Sequence, residues 1–324
     1  MHMADALVSP PVAVGAAAIS LTLIGIAASK VRKDSRENIV PLMGVLGAFI
    51  FAAQMINFSI PGTGSSGHII GGVLLAALLG PWAGYITIAS VLVVQCFVFA
   101  DGGLMALGCN LLNMGVCTTL IAYPLVYKPI AGSSQNGWRV ITAAVVACIA
   151  GLELGALFVT METEMSGITL LPFKEFLGMM TLIHLFIGIG EGVATAAVLG
   201  FVRQYQPSLL SEYRTTHHER MYNYKRVLWI FGIFALVLGG CFAWIASSYP
   251  DGLEWSISKV TGLEQLPEAA TGIAQGIASV QSSTSVLPDY NSTWSGIIGC
   301  MVVLTLVWVT CSLINARRKK VRCR

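Results

Sequence analysis

Residues 176–202 read FLGMMTLIHLFIGIGEGVATAAVLGFV. His184 and Glu191 are the ionisable side chains of this run, and nearly all of its other residues are apolar or small. A helix of about 20 such residues crosses the roughly 30 Å of hydrocarbon in a bilayer. The run therefore predicts a transmembrane helix and not the core of a soluble domain.

Further apolar runs of similar length lie on both sides of this stretch. They are residues 11–29, 39–56, 83–100, 104–127, 140–160, 227–246 and 296–314, with a shorter run at 68–79. Charged residues make up only 11% of the chain, whereas soluble domains carry about 25%. We expect an all-α integral membrane protein whose seven-helix bundle is followed by a two-helix hairpin with an extracytoplasmic loop. Its surroundings are then a lipid bilayer, and nothing indicates nucleic acid as a partner.

The basic residues indicate how the chain is oriented in the membrane. If the short run is counted as one of nine spans, Lys174 and Lys259 lie on one side and all other Lys and Arg on the other. Cytoplasmic loops carry the excess of Lys and Arg. We therefore predict a multi-pass protein of the inner or plasma membrane, with its N-terminus outside and its C-terminus in the cytoplasm.

A polar and basic stretch divides the chain into two modules. Residues 203–226 interrupt the apolar pattern and are interpreted as a cytoplasmic linker between residues 1–202 and residues 227–324. The second module has two spans around an outside loop at about 247–294. Glycines and serines at 62–67 lack the lysine of a phosphate-binding loop, so we expect no nucleotide hydrolysis. The eight cysteines contain no CxxC pair and predict neither a disulfide framework nor a zinc site.

The N-terminus supplies an unusual set of nitrogen atoms. A retained Met1 gives a free amine, which with the peptide nitrogen and imidazole of His2 can close two adjacent chelate rings on one metal ion. Such nitrogen donors suit Ni(II) or Cu(II). One further nitrogen would complete a square, and His68 follows a Gly/Ser loop on the same side of the membrane. These residues alone leave open a cloning remnant at Met1–Met3 and a helix-capping role for His68.

Other polar side chains within or near the spans have two interpretations. His184 and Glu191 share one helical face, and ionisable groups inside a membrane are functional by default; a structural hydrogen bond is the alternative. The remaining polar groups either orient the histidines or pack helices. They are Asp5, Asn57, Asp101, Asn110 and Asn113. His217 and His218 are interpreted as a solvated pair in the linker.

Several motifs together resemble a known family. They are MHMADALVSP (1–10), GSSGHIIGGVLLAALLGPWAG (64–84), VLVVQCFVFADGGLMALGCNLLNMG (91–115) and HLFIGIGEG (184–192). In order and spacing they are similar to the CbiM/NikM family, the substrate-capture components of cobalt and nickel energy-coupling-factor transporters. PDGLEW (250–255) resembles the PDGLE domain of the small accessory component, CbiN/NikN-like and here fused to the first module.

The resemblance implies a binding site and a set of partners. Metal would be bound near the extracellular surface by the amine of Met1, the amide nitrogen and imidazole of His2, and His68. Surrounding or gating roles would fall to Asn57, Asp101, Asn113, His184 and Glu191. Ni(II) or Co(II) would be a transported ligand and not a cofactor. The chain would be no enzyme itself and would work with a CbiQ/NikQ-like transmembrane coupling protein and CbiO/NikO-like ATPase subunits.

Three other functions are compatible with a polytopic membrane protein. A secondary transporter or efflux permease for a divalent metal would string ionisable residues through the membrane, whereas His2 and His68 are expected at one face. A capture component for an organic vitamin would need an aromatic-lined pocket. A purely structural subunit leaves the pairing of His2 and His68 unexplained.

Overall fold

The computed structural model describes residues 1–34, 36, 39–132, 137–210, 224–241, 247–263, 272–290 and 294–322. Within these ranges the chain forms helices joined by short connections, and one two-stranded hairpin. The helices are α1 (Pro10–Arg32), α2 (Ile39–Gln54), α3 (Gly72–Leu79), α4 (Pro81–Phe99), α5 (Leu107–Ala131), α6 (Gly137–Ser166), α7 (Phe173–Tyr205), α8 (Tyr224–Cys241), α9 (Gly252–Thr261), α10 (Gly272–Thr284) and α11 (Ser295–Arg322). The strands are β1 (Phe58–Ile60) and β2 (Ser65–Gly67).

The all-α membrane architecture expected from the apolar runs is confirmed. In the described part of the chain, six helices are long and apolar enough to cross a bilayer, namely α1, α4, α5, α6, α7 and the Ser295–Ser312 part of α11. Helix α2 is apolar but has only 16 residues. The count of nine crossings stays a prediction.

The short run at 68–79 is helical over only part of its length. Its eight-residue helix α3 is buried throughout, and residues 68–71 precede it without helical structure. Gly71, with φ at 78°, makes the left-handed turn into the helix. At the other end, the Arg36 guanidinium donates to the carbonyl of Leu79 at 2.7 Å. The segment 68–79 therefore runs from His68 at one end of the bundle towards the opposite end, where α2 begins.

The Gly/Ser loop before His68 is an ordered β-hairpin. Strands β1 and β2 pair antiparallel, with Phe58 opposite Gly67 and Ile60 opposite Ser65. The turn between them uses Gly62 and Gly64 at positive φ, a conformation that glycine adopts readily. The hairpin fixes the position at which His68 enters the bundle.

Helices pack closely where small residues meet. A Cβ on Gly108 of α5 would lie 2.5 Å from the Ala17 nitrogen of α1, and the Ser20 hydroxyl donates to the Gly108 carbonyl at 2.9 Å. Gly239 of α8 and Gly296 of α11 meet backbone to backbone. Contacts between small residues are the usual way for helices to associate in lipid.

The second module packs along α2 and also lies over the end of the bundle that holds Met1. Helices α8 and α11 pack against α2. The region predicted as an outside loop contains α9 and α10, and α9 packs on α7 and on β2. Most of the predicted linker, residues 211–223 with His217 and His218, lies outside the described residues.

Candidate metal site

The first three residues are drawn into the bundle. Met1 and Met3 are buried. The side-chain oxygen of Asn110 accepts from the Met3 nitrogen at 2.7 Å, and its amide nitrogen donates to the Met3 carbonyl at 3.2 Å. Gly103 donates to the same carbonyl at 2.9 Å. The Asn110 side chain thus makes the pair of hydrogen bonds that a neighbouring β-strand would make to Met3. These bonds hold the terminal amine inside the protein.

His68 presents one nitrogen to that amine. Its Nε2 lies 3.4 Å from the Met1 nitrogen, and its Nδ1 lies 3.2 Å from the Ile69 carbonyl. A carbonyl only accepts, so Nδ1 carries the proton and Nε2 keeps its lone pair. Burial lowers the pKa of His68 to about 3, and the nearby amine and His2 act in the same direction. The ring is therefore neutral at physiological pH, the form that binds metals.

Glu191 holds the segment that carries His68. Its two carboxylate oxygens accept from the Ile70 and Gly71 nitrogens at 2.7 and 2.9 Å. The side chain is fully buried on α7. Glu191 therefore supports the His68 loop from across the bundle.

A relay of amides orients His2. Gln54 donates to the Ile70 carbonyl at 2.7 Å and accepts from Gln95 at 2.8 Å. Gln95 must then turn its oxygen to the His2 Nε2, which lies 3.2 Å away. The His2 Nε2 therefore donates to Gln95, and Nδ1 can bind a metal once it has given up the proton that its contact with Asp101 requires.

The Nδ1 of His2 is also the ring nitrogen with the correct reach. It closes a six-membered ring with the His2 amide nitrogen on one metal ion, next to the five-membered ring formed with the Met1 amine. Here Nδ1 lies 3.2 Å from an Asp101 oxygen. Burial lowers the pKa of His2, and Asp101 opposes that effect. The rings of His2 and His68 stack with centroids 5.2 Å apart.

A carboxylate of the second module reaches the amine as well. One Asp251 oxygen lies 2.6 Å from the Met1 nitrogen, and the other accepts from the Leu253 and Glu254 nitrogens at the start of α9. Although burial opposes ionisation, the ion pair with the amine and the hydrogen bonds hold the pKa of Asp251 well below its usual range.

A cavity of about 10 Å³ borders the amine, roughly the room of one water molecule. Met1, His68, His184 and Asp251 are among its lining residues. The His184 Nδ1 donates to the Met180 carbonyl at 2.8 Å. Its Nε2 has no hydrogen-bond partner within the described residues, so an imidazole lone pair lies on the inner side of the site.

The structure brings together some of the predicted residues and separates others. Met1, His2, His68 and Asp101 meet at one point, His184 borders it and Glu191 supports it. Asn113 instead donates to Glu162 at 2.7 Å. Asn57 lies at the foot of the hairpin, where its carbonyl accepts from the Ser247 nitrogen at 2.8 Å.

Sequence reasoning missed three side chains of the site, namely Gln54, Gln95 and Asp251. The signal for the two glutamines was an uncharged polar group inside an apolar run, which needs a partner in a membrane. Asp251 stood in the PDGLE motif, but nothing local placed it beside Met1. Across the described ranges, no three His, Cys, Asp or Glu side chains form a metal-ion cluster.

The fold is a polytopic helical bundle, and one of its ends gathers an amine and two imidazoles. The family model CbiM, described as the cobalt uptake substrate-specific transmembrane region, matches residues 2–209, and the PDGLE domain matches residues 225–316. The chain belongs to the CbiM family and carries a C-terminal PDGLE domain. It is a multi-pass component of metal transport and not an enzyme, and the metal is its transported substrate.

Relatives with both modules cover almost the whole chain. A putative fused nickel transport protein NikMN from Archaeoglobus fulgidus is 30% identical over 94% of this chain and 96% of its own length. A fused nickel transport protein NikMN from Rhodobacter capsulatus is 30% identical over 90% and 88%. A cobalt transport protein CbiM from Clostridium tetani is 28% identical over 63% and 85%.

A solved structure resembles the first module. The crystal structure of a truncated transition metal transporter has 28% sequence identity and a TM-score of 0.56, and the match covers 63% of this chain and 99% of that one.

Proposed function

We propose that this chain is the substrate-binding membrane component of an energy-coupling-factor importer for Ni(II) or Co(II). It captures the metal at the extracytoplasmic face through the Met1 amine, His2 and His68. The observation that carries this proposal is the convergence of the Met1 nitrogen, the His2 ring and the His68 Nε2. The names of the fused nickel transport relatives support nickel, and the name of the cobalt transport relative supports cobalt.

The ligand chemistry favours a planar arrangement of nitrogens. The amine, the deprotonated His2 amide and the His2 Nδ1 supply three donors in adjacent chelate rings, and the His68 Nε2 supplies the fourth. Square-planar nitrogen sites suit Ni(II) and also Cu(II), so metal availability contributes to selectivity. Each donor must be free of its proton, so binding releases protons to the solvent.

The orientation follows from charge. The site lies at the end of the bundle opposite Arg36 and the end of α3, and the basic linker and C-terminus are placed in the cytoplasm by the positive-inside rule. The chain has no phosphate-binding loop. As the family resemblance implies, it works with a CbiQ/NikQ-like coupling protein and CbiO/NikO-like ATPases, which co-purification of a co-expressed set would test.

The test of the site uses purified protein whose first residue is Met1. Isothermal titration with Ni(II) in detergent compares the chain with a version that carries one extra residue before Met1. The matched control carries the same residue after Arg324. We expect the N-terminal addition to abolish tight binding, because it converts the amine to an amide. Equal affinity for both chains would refute the amine as a ligand.

A further inference from the structure

A histidine of the helical bundle borders the small cavity beside the Met1 amine. The His184 side chain is only 1% exposed, and it lines this cavity together with Met1 and His68. Its Nδ1 donates to the Met180 carbonyl at 2.8 Å, so Nε2 keeps its lone pair. That nitrogen has no hydrogen-bond partner within the described residues. A buried polar atom without a protein partner costs free energy, and in native proteins it usually serves a water molecule or an ion.

The direction of this imidazole is fixed by its own helix. Gly188, one turn further along α7, fits against α6, where a Cβ would lie 2.9 Å from the Ile149 Cα. This close packing fixes the backbone that carries His184, and the hydrogen bond from Nδ1 to Met180 fixes the ring. The ring carbon between the two nitrogens, Cε1, faces Gly252, which also lines the cavity. Nε2 therefore belongs to the edge of the ring that borders the cavity.

A glycine of the PDGLE motif forms the facing wall of the cavity. A Cβ on Gly252 would lie 3.2 Å from the His184 Cε1 and 2.8 Å from the Ile187 Cδ1. Ile187 also contacts Gly67, where a Cβ would lie 2.5 Å from its Cγ1, so its side chain has little freedom to move. A larger residue at position 252 would therefore crowd the cavity, which gives a positional reason for the glycine of PDGLEW.

The cavity suits one water molecule between His184 and the metal ligands. Its volume of about 10 Å³ is the room of one water, and such a water can donate to the His184 Nε2. The oxygen of that water then faces the Met1 nitrogen and the His68 Nε2, which lie 3.4 Å apart. Because four nitrogens already fill the proposed coordination plane, a further donor can bind the metal only along the axis perpendicular to it.

Metals differ in how they use such an apical position. In a plane of four strong nitrogen donors, Ni(II) holds a pair of electrons along the perpendicular axis, and this pair repels a further donor. Co(II) holds a single electron there and readily binds one apical ligand. The square plane alone therefore suits Ni(II), whereas an apical water adds to the stability of bound Co(II).

We infer that the cavity is an apical coordination position of the captured metal, in which a metal-bound water donates to the His184 Nε2. This inference rests on the proposed function, because the coordination plane is the one assigned to Met1, His2 and His68. His184 acts through the water and does not touch the metal, so it is a positioning residue. It sets how well the site holds Co(II) relative to Ni(II), and Gly252 of the second module keeps the position open.

The first test compares two metals in one variant. His184→Leu removes the acceptor and keeps a side chain of similar size at the buried position. Anaerobic titration of the purified chain should show a Co(II) affinity reduced about 10-fold to 100-fold, as expected when an outer partner of a ligand is lost, and an unchanged Ni(II) affinity. The Ni(II) value reports whether the plane of nitrogens is intact. An equal loss for both metals, or no loss for Co(II), would overturn the inference.

Two further variants separate the hydrogen bond from the packing. His184→Gln supplies an oxygen that can accept from the water, so it should retain more Co(II) affinity than His184→Leu. Gly252→Ala leaves His184 in place but crowds the cavity, so it should lower the affinity for Co(II) and not for Ni(II). Wild-type Co(II) affinity in Gly252→Ala, or equal losses in the two His184 variants, would count against a water at this position.

The second test detects the water directly. The unpaired electron of bound Co(II) lies along the apical axis, so the electron paramagnetic resonance lines of the Co(II)-loaded chain should broaden in water enriched in the magnetic isotope of oxygen. This broadening should be absent in His184→Leu. Lines of the wild type that do not broaden would refute the water ligand. A splitting by an apical nitrogen would also refute it, because the imidazole would then bind the metal itself.

The two proposals fail in different ways. If an extra residue before Met1 leaves Ni(II) binding intact, the proposed planar site fails. If that addition abolishes the binding of both metals while His184→Leu binds Ni(II) and Co(II) as the wild type does, only the apical position fails.

Discussion

Replacement of Glu191 by glutamine tests whether the His68 segment is held from α7. Each carboxylate oxygen accepts one main-chain N–H, from Ile70 at 2.7 Å and from Gly71 at 2.9 Å. Glutamine offers one oxygen, and its NH₂ group would face the second donor. Loss of one charged hydrogen bond costs about 1.5–3 kcal/mol, and an unsatisfied buried donor costs about 1–3 kcal/mol.

Together these losses amount to roughly 2.5–6 kcal/mol, or on the order of 4–9 °C in melting temperature for a chain of this size. We expect Ni(II) affinity to fall about 10-fold to 100-fold, as it does when an outer partner of a ligand is removed. Melting in detergent and Ni(II) titration measure the two effects, with Glu175→Gln as the exposed control. Wild-type melting and affinity in Glu191→Gln would refute the role assigned to this carboxylate.

Other predictions address the ligands, the pH dependence and the topology. His2→Ala and His68→Ala should each abolish tight Ni(II) binding and leave the protein folded; unchanged affinity in titrations of either variant would remove that residue from the site. The pKa of His68 is lowered from 6.5 to about 3 in the folded chain, so the unfolded chain takes up the proton first. The burial of His68 should therefore lower stability as the pH drops below 6.5 towards 3, so the change in melting temperature from pH 7.5 to pH 5 should be more negative in the wild type than in His68→Ala, and an equal change in both chains would contradict the burial of this ring. In intact cells, Ser283→Cys should react with an impermeant thiol reagent and Ser211→Cys should not; the reverse pattern would invert the orientation. Purified chain alone should hydrolyse no ATP in a phosphate-release assay, and activity that follows the pure protein would contradict this expectation.

Much of the membrane fold could be predicted because its signal is local. A long apolar run such as 176–202 has one physical solution in lipid, a helix that satisfies its own backbone. The helical part of 68–79 was less accessible to prediction, since its short helix is protected by neighbours that no local pattern specifies. Helices α9 and α10 were missed because their glycines, serines and polar residues are typical of loops.

The candidate site likewise has a part that local patterns indicate and a part that depends on tertiary packing. His2 and His68 could be paired from ligand chemistry and a shared side of the membrane. The contact of Asp251 with Met1 joins residues 250 positions apart, and no pattern within the second module indicates it. The position of Asn113 beside Glu162 also depends on packing between α5 and α6, so its distance from the histidines could not be read from spacing.

The main chain of Ile70 joins the two halves of the site. Its carbonyl accepts a hydrogen bond from the Gln54 amide, which begins the relay through Gln95 to His2. Its nitrogen donates a hydrogen bond to Glu191. We therefore expect the positions of His2 and His68 to be coupled through the main chain of Ile70. Substitutions at Gln54 and Glu191 should be non-additive in a double-mutant cycle, because either one loosens the same backbone.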